Sequence, residues 1–147
     1  MGYPSLMLRD RLFWLAMAVG PVFWVLLALG GGETVAPGWI RERPGTFLTL
    51  ALLYPVAEEI VFRGLLQEAL ASRLPSYRLG PLTAANLTTS ALFSGLHALT
   101  HPPLWAAGVF VPSLLFGFMK ERHASLAAPV TLHAFYNAGY FGLFGAA

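Results

Sequence analysis

The sequence contains no cysteine and has little charge, and both absences restrict the function. Without cysteine there is no disulfide, no thiolate metal site and no cysteine nucleophile. Charged residues make up 11% of the 147 positions, compared with about a quarter in soluble proteins. Hydrophobic residues make up 56%, and the mean hydropathy is +0.63. This composition predicts an integral membrane protein with a large surface in contact with lipid.

Five apolar segments can be drawn along the chain, at about 12–31, 46–71, 82–100, 104–119 and 125–144. Each is close to the roughly 20 residues that a helix needs to cross about 30 Å of hydrocarbon, and the fourth is the shortest. None shows the two-residue alternation of a barrel strand. We therefore predict an all-α fold, a polytopic transmembrane bundle of about five membrane helices that forms a single domain over 1–147.

The distribution of basic residues predicts the orientation in the membrane. Basic residues are enriched in cytoplasmic loops. With the N-terminus in the cytoplasm, six of the eight loop residues are cytoplasmic and two are outside: Arg9, Arg11, Arg73, Arg78, Lys120 and Arg122, against Arg41 and Arg43. We expect the N-terminus inside and the C-terminus outside.

The same charges bear on partners and processing. The basic residues are scattered in pairs at the ends of apolar runs, so no nucleic-acid partner is expected. The first apolar run is longer than the 7 to 15 residues of a signal peptide, which favours its retention in the membrane.

Three charges lie inside the second apolar segment, in the stretch LYPVAEEIVFRG: Glu58, Glu59 and Arg63. At about 3 kcal/mol each, they would cost roughly 9 kcal/mol in a lone membrane helix. Glu59 and Arg63 are four residues apart and can pair on one helix face. Glu58 is turned about 100° from Glu59, so its partners are expected on other helices. Pro55 lacks an amide and would clash with the carbonyl of Ala51, which predicts a kink.

Candidate partners for Glu58 lie on the third and fifth segments. His97 is inside the third, whereas His101 stands at its end, before two prolines. On the fifth, His133 and Asn137 are four residues apart and project from one face. Counted from each cytoplasmic end, Glu58 and His97 lie at roughly 20 Å, Asn137 at roughly 17 Å and His133 at roughly 10 Å. These depths permit a shared site.

These residue types allow more than one chemistry. A carboxylate shielded from water can act as a general base, a histidine can share the proton, and a histidine with an asparagine can stabilise an oxyanion. Alternatively, Glu58, His97 and His133 could bind zinc, although there is no HExxH motif. Two further interpretations are possible. These residues could form a polar network that only fixes helix packing, or His97 and His133 could be axial ligands of haem.

Three motifs carry a resemblance to a known family. EEIVFR (Glu58 to Arg63) matches EExxxR, FSGLH (Phe93 to His97) matches FxxxH, and HAFYN (His133 to Asn137) matches HxxxN. In this order they resemble the CPBP family of intramembrane proteases, which includes the CAAX prenyl endopeptidases of the Rce1 type and bacterial Abi proteins. The resemblance covers about 53–139 and implies an Rce1-like core in a small bacterial member, located in the inner membrane.

The resemblance also implies roles for the motif residues. Glu58 would activate water with help from His97, His133 and Asn137 would stabilise the oxyanion, and Glu59 with Arg63 would be a supporting pair. The enzyme would be a glutamic-type intramembrane endopeptidase that needs no cofactor, with zinc as the alternative.

The implied substrate is a membrane-anchored protein or peptide cut near a C-terminal processing or sorting signal, and a prenylated tail is less favoured. A noncatalytic membrane interaction or immunity protein that keeps the scaffold is the alternative from another class.

Overall fold

The structure is a computed structural model that describes residues 7–30, 34–36 and 38–146. Over these residues it is helical apart from one short hairpin, which confirms the all-α prediction. The elements, in chain order, are α1 (Arg11–Gly30), α2 (Trp39–Glu42), α3 (Pro44–Ala71), β1 (Arg78–Leu79), β2 (Leu82–Thr83), α4 (Ala84–His97), α5 (Pro103–His123) and α6 (Ala127–Phe144).

A helix stands at each of the five predicted positions, and among the described residues three of them are long and apolar enough to cross a membrane. These are α1 with 20 residues, α3 with 28 and α5 with 21. The helix α6 has 18 residues and carries the polar residues His133 and Asn137. The prediction of apolar helices is confirmed, and two of the predicted segments differ from the observed helices in their ends.

The third predicted segment, 82–100, is too long. Leu82 and Thr83 form strand β2, and the Thr83 hydroxyl accepts a hydrogen bond from the amide of Asn86 at 3.0 Å, which caps α4. The helix ends at His97, shortly before Pro102 and Pro103. With 14 residues, α4 is about 21 Å long, less than the hydrocarbon thickness.

The fourth predicted segment, 104–119, is too short. The sequence KERH after it suggests a polar loop, but these residues form the last turn of α5. Positive side chains are favourable at the carboxyl end of a helix, and Lys120, Arg122 and His123 stand there. Ala124 then ends the helix in a left-handed conformation, with φ of 47°.

Between α3 and α4 the chain forms a tight hairpin. Arg78 pairs with Thr83 and Leu79 with Leu82 across a two-residue turn of Gly80 and Pro81. Gly80 has φ of 61°, which the first position of such a turn requires and which glycine adopts without strain.

The helix α3 is not wound uniformly. Two segments, Thr49–Leu53 and Ile60–Leu66, have π-helical i→i+5 hydrogen bonding, and the rest is α-helical. Buried side chains recur at every fourth residue: Ala51, Pro55, Glu59, Arg63 and Gln67. In a pure α-helix each step of four residues overshoots a full turn by about 40°, so this spacing would drift around the helix. The wider π turns reduce that drift.

The chain divides into two compact units. One contains Glu58–Pro129, where α4 packs closely on α5 and Ser94 donates to the carbonyl of Ala106 at 2.7 Å. The other contains the described residues up to Ala57, together with Val130 onward. In this second unit, the Tyr136 hydroxyl donates to the carbonyl of Ala16 at 2.6 Å, which ties α6 to α1.

Candidate active site

A buried ion pair lies at the centre of the Glu58–Pro129 unit. The side chains of Glu59 and Arg63 are both 0% exposed, and Arg63 Nε lies 3.3 Å from Glu59 Oε2. The predicted pairing of these two residues is therefore confirmed. Arg63 Nη2 also donates to the Ser113 carbonyl at 2.9 Å and to Ser113 Oγ at 2.8 Å. The guanidinium thus joins a carboxylate of α3 to the backbone of α5.

The sequence analysis missed two members of this buried polar row. One is Ser113, which lies in an apolar run fifty residues from Arg63 and carries no local signal. The other is Gln67, whose Nε2 donates to the Gly117 carbonyl at 3.2 Å and to Glu121 Oε1 at 2.7 Å. Its position four residues after Arg63 was the available signal, because it continues the spacing from Glu59 to Arg63.

Glu58 differs from its neighbour in burial. It is half-buried, whereas Glu59 is fully buried. The two adjacent carboxylates therefore have different surroundings, as their positions on a helix predicted.

His97 is held by the backbone of its own helix. Its Nδ1 lies 2.9 Å from the Phe93 carbonyl, which can only accept a hydrogen bond. The proton of the neutral imidazole therefore resides on Nδ1, and Nε2 carries the lone pair. This is the tautomer that a proton acceptor needs.

Phe93 connects His97 to the ion pair. Its ring centroid lies 4.5 Å from the imidazole of His97 and 5.0 Å from Arg63 Cζ. A second ring, that of Phe62, packs edge-on against Phe93 at 4.8 Å. The phenylalanine of the FxxxH pattern thus has two roles in this chain, because its carbonyl orients the imidazole of His97 and its ring contacts the guanidinium of Arg63.

His101 is exposed and lies outside this arrangement. Its Nδ1 is 2.8 Å from the Thr100 hydroxyl, and its ring centroid is 5.6 Å from that of His97.

His133 and Asn137 are on α6, in the second unit. His133 is buried, with 7% of its surface exposed. Asn137 Nδ2 donates to the carbonyl of Leu50 at 3.0 Å.

The free carbonyl of Leu50 follows from the π-helical winding. In the segment Thr49–Leu53, the amide of Tyr54 bonds to the carbonyl of Thr49, five residues back. The donor for Leu50 would then be residue 55, and Pro55 has no N–H. In a regular α-helix Pro55 would leave the carbonyl of Ala51 without a donor. The π-helical winding transfers this effect to the carbonyl of Leu50, which accepts from Asn137.

Within one unit, Glu59 pairs with Arg63, and Phe93 contacts both Arg63 and His97. Glu58 precedes Glu59 on α3 in the same unit. His133 and Asn137 belong to the other unit. Among the described residues, no three His, Cys, Asp or Glu side chains form a group that could hold a metal ion.

The comparisons with known proteins agree with the three motifs. A model of the family described as type II CAAX prenyl endopeptidase Rce1-like matches residues 41–139, which include EExxxR, FxxxH and HxxxN. No curated protein and no solved structure matches the chain. Because the matched region covers more than half of the sequence, the chain belongs to the Rce1-like family of type II CAAX prenyl endopeptidases.

Proposed function

We propose that this chain is an intramembrane endopeptidase in which Glu58 activates the attacking water. The observation that carries this is the difference between the two adjacent carboxylates. Glu59 is fully buried and ion-paired with Arg63, which suits a structural partner. Glu58 is half-buried, so it can reach water while its neighbour holds the guanidinium.

The proton chemistry uses Glu58 and His97. Glu58 takes a proton from water as the oxygen attacks the scissile carbonyl, and the proton is then delivered to the leaving amine. His97 assists as a proton acceptor through Nε2, because Nδ1–H is engaged by the Phe93 carbonyl. The tautomer is fixed before substrate binds.

His133 and Asn137 take their proposed role from the HxxxN motif. Both would donate hydrogen bonds to the oxyanion that forms on the carbonyl oxygen. The amide of Asn137 has two N–H groups, and the bond to Leu50 uses one of them. The other is available for the oxyanion.

The proposed substrate is a membrane-anchored protein or peptide, cut near a C-terminal processing or sorting signal. The protein would act from within the lipid bilayer, with its N-terminus in the cytoplasm, and without a cofactor. A prenylated C-terminal tail is the second candidate, because the matched family is described as CAAX prenyl endopeptidases.

The test is cleavage of a membrane-anchored peptide by the purified full-length protein. We expect Glu58→Gln to lower kcat by about 10²-fold to 10⁴-fold, the usual contribution of a general base. Glu68→Gln is the matched control, because Glu68 is a carboxylate of the same helix that is 63% exposed and paired with Lys120. It should cut at the wild-type rate.

Two outcomes would contradict the proposed chemistry. Equal cleavage by wild type and Glu58→Gln would show that Glu58 is not the base. Loss of activity with a zinc chelator, restored by added zinc, would replace the metal-free mechanism by the zinc version. A noncatalytic scaffold would instead keep its cellular function in the Glu58→Gln variant.

A further inference from the structure

An open surface pocket lies at the carboxyl end of α5, apart from the residues proposed for catalysis. It has a volume of about 270 Å³ and is lined by Arg78, Pro81, Phe118, Glu121 and Arg122. We name these five residues the headgroup pocket. Its volume is just below the usual range of about 300–1,000 Å³ for small-molecule sites, so it would hold a compact ligand.

The hairpin and α5 are joined at this pocket by hydrogen bonds. Thr83 Oγ1 donates to Glu121 Oε1 at 2.6 Å, and Gln67 Nε2 donates to the same oxygen at 2.7 Å. Arg78 is the partner of Thr83 across the hairpin. These contacts fix the strand that carries Arg78 against the last turn of α5, so the pocket is built by tertiary structure and not by two mobile side chains.

The pocket lies beside the ends of two candidate membrane spans, where such spans would leave the membrane. The helix α5 is a candidate membrane span and ends at His123, and the candidate span α3 ends at Ala71, seven residues before Arg78. The pocket residues Phe118 and Pro81 are apolar, while Arg78 and Arg122 are exposed cations. An occupant with an apolar side and an anionic group fits this lining.

The charges of the pocket further restrict the chemical class of its ligand. Two guanidiniums are suited to phosphate, which they can bind with paired hydrogen bonds. The third charge, Glu121, is a carboxylate that accepts at Oε1 from Gln67 and Thr83. A carboxylate has about four lone-pair sites on its two oxygens, so Glu121 can also accept from an ammonium group. A site that carries both positive and negative charges fits a zwitterionic ligand better than a simple anion.

We propose that the headgroup pocket binds a phosphoethanolamine group, supplied by a phosphatidylethanolamine lipid of the surrounding membrane. Arg78 and Arg122 hold the phosphate, and Glu121 holds the ammonium. Phe118 and Pro81 contact the glycerol side of the lipid. Binding there would anchor the end of α5 and the hairpin at the membrane surface.

The test is lipid binding by the full-length protein, measured by native mass spectrometry from detergent with phosphatidylethanolamine and phosphatidylglycerol in turn. We expect Arg78→Gln and Arg122→Gln each to weaken phosphatidylethanolamine binding about tenfold, the effect of one lost charge-assisted hydrogen bond. Arg73→Gln is the matched control, since Arg73 is an exposed arginine at the same end of α3 but does not line the pocket. It should bind as the wild type does.

Glu121→Gln tests the zwitterion. Glutamine keeps an oxygen that can accept from Thr83 and Gln67, but it removes the negative charge, so the preference for phosphatidylethanolamine over phosphatidylglycerol should disappear. If Glu121 only reduces the positive charge of the two arginines, Glu121→Gln will bind both lipids more tightly and will keep any preference for phosphatidylethanolamine. That result would overturn the assignment of Glu121 to the ammonium group.

Two further results would also overturn it. Unchanged binding in both arginine variants, or an equal loss in Arg73→Gln, would mean that the pocket does not hold the lipid. Binding of inorganic phosphate or soluble phosphoethanolamine without binding of the lipid would assign the pocket to a free ligand. Thermal unfolding of each variant identifies any that has lost its fold.

Discussion

Arg63 is a fully buried charge that needs compensating contacts. A guanidinium with 0% exposure must be compensated, and Glu59, Ser113 and the rings of Phe93 and Phe116 provide this. The pair is thus both a motif element and a structural connection between α3 and α5.

Removing the cation alone should be costly. We expect Arg63→Met to lower the free energy of unfolding by about 3 kcal/mol or more, because it leaves the Glu59 carboxylate buried without its cation. Adding Glu59→Gln should recover part of that loss. The measurement is denaturant unfolding in detergent, followed by the fluorescence of the four tryptophans.

Arg73→Met, at an exposed arginine, serves as the control and should change stability little. Additive effects of Glu59→Gln and Arg63→Met would mean that the two side chains do not interact in solution.

At this scale the sequence predicts contacts that are local and misses those that are not. The four-residue spacing was sufficient to predict the pairing of Glu59 with Arg63. It could not predict Ser113, because nothing local relates it to Arg63. Nor could it predict the bond from Asn137 to Leu50, because a backbone carbonyl becomes available only through the local winding of α3.

At the scale of elements, Pro55, the π-helical segment and Asn137 form one arrangement. Asn137→Leu should lower the free energy of unfolding by about 1–2 kcal/mol, since it leaves the Leu50 carbonyl without a donor. In a Pro55→Ala background the same change should cost less, because residue 55 then has an N–H and a backbone donor can reach Leu50.

A double-mutant cycle of thermal unfolding measures this coupling. Equal costs of Asn137→Leu in both backgrounds would disprove the link between the proline and the asparagine.

One glycine allows a close approach between α4 and α5. A Cβ at Gly117 would overlap the side-chain amide of Asn86, which itself donates to the Leu114 carbonyl at 3.0 Å. We expect Gly117→Ala to lower the free energy of unfolding by about 1–3 kcal/mol. Thermal unfolding provides the measurement.

Gly108→Ala is its matched control on the same helix, where nothing lies within 4 Å of a Cβ. It should be neutral or stabilising by up to about 1 kcal/mol, because alanine favours the helix. Similar losses in both variants would point to helix winding and not to the contact with Asn86.

Element positions followed from apolar runs, whereas element ends did not. Hydropathy cannot distinguish a polar loop from the polar last turn of a helix, so the predicted segment ended at Met119 whereas α5 continues to His123. Hydropathy also cannot detect a two-residue strand, so Leu82 was assigned to the helix α4.

For the whole molecule, the orientation in the membrane is the prediction to test. The chain has no cysteine, so a single introduced thiol is the only one present. With the N-terminus in the cytoplasm, a membrane-impermeant maleimide added to intact cells should label Arg41→Cys. It should label Arg73→Cys only after the cells are opened. The reverse pattern would invert the topology.

The uneven winding of α3 also limits how the chain can change in length. Deleting one residue between Ala51 and Gln67 would rotate everything beyond it by about 100° and carry the buried side chains out of phase. The turn at Gly80 and Pro81 has no such constraint, because both residues are exposed. Insertions and deletions should therefore be confined to the connections, while the number of residues between Pro55 and Gln67 stays constant.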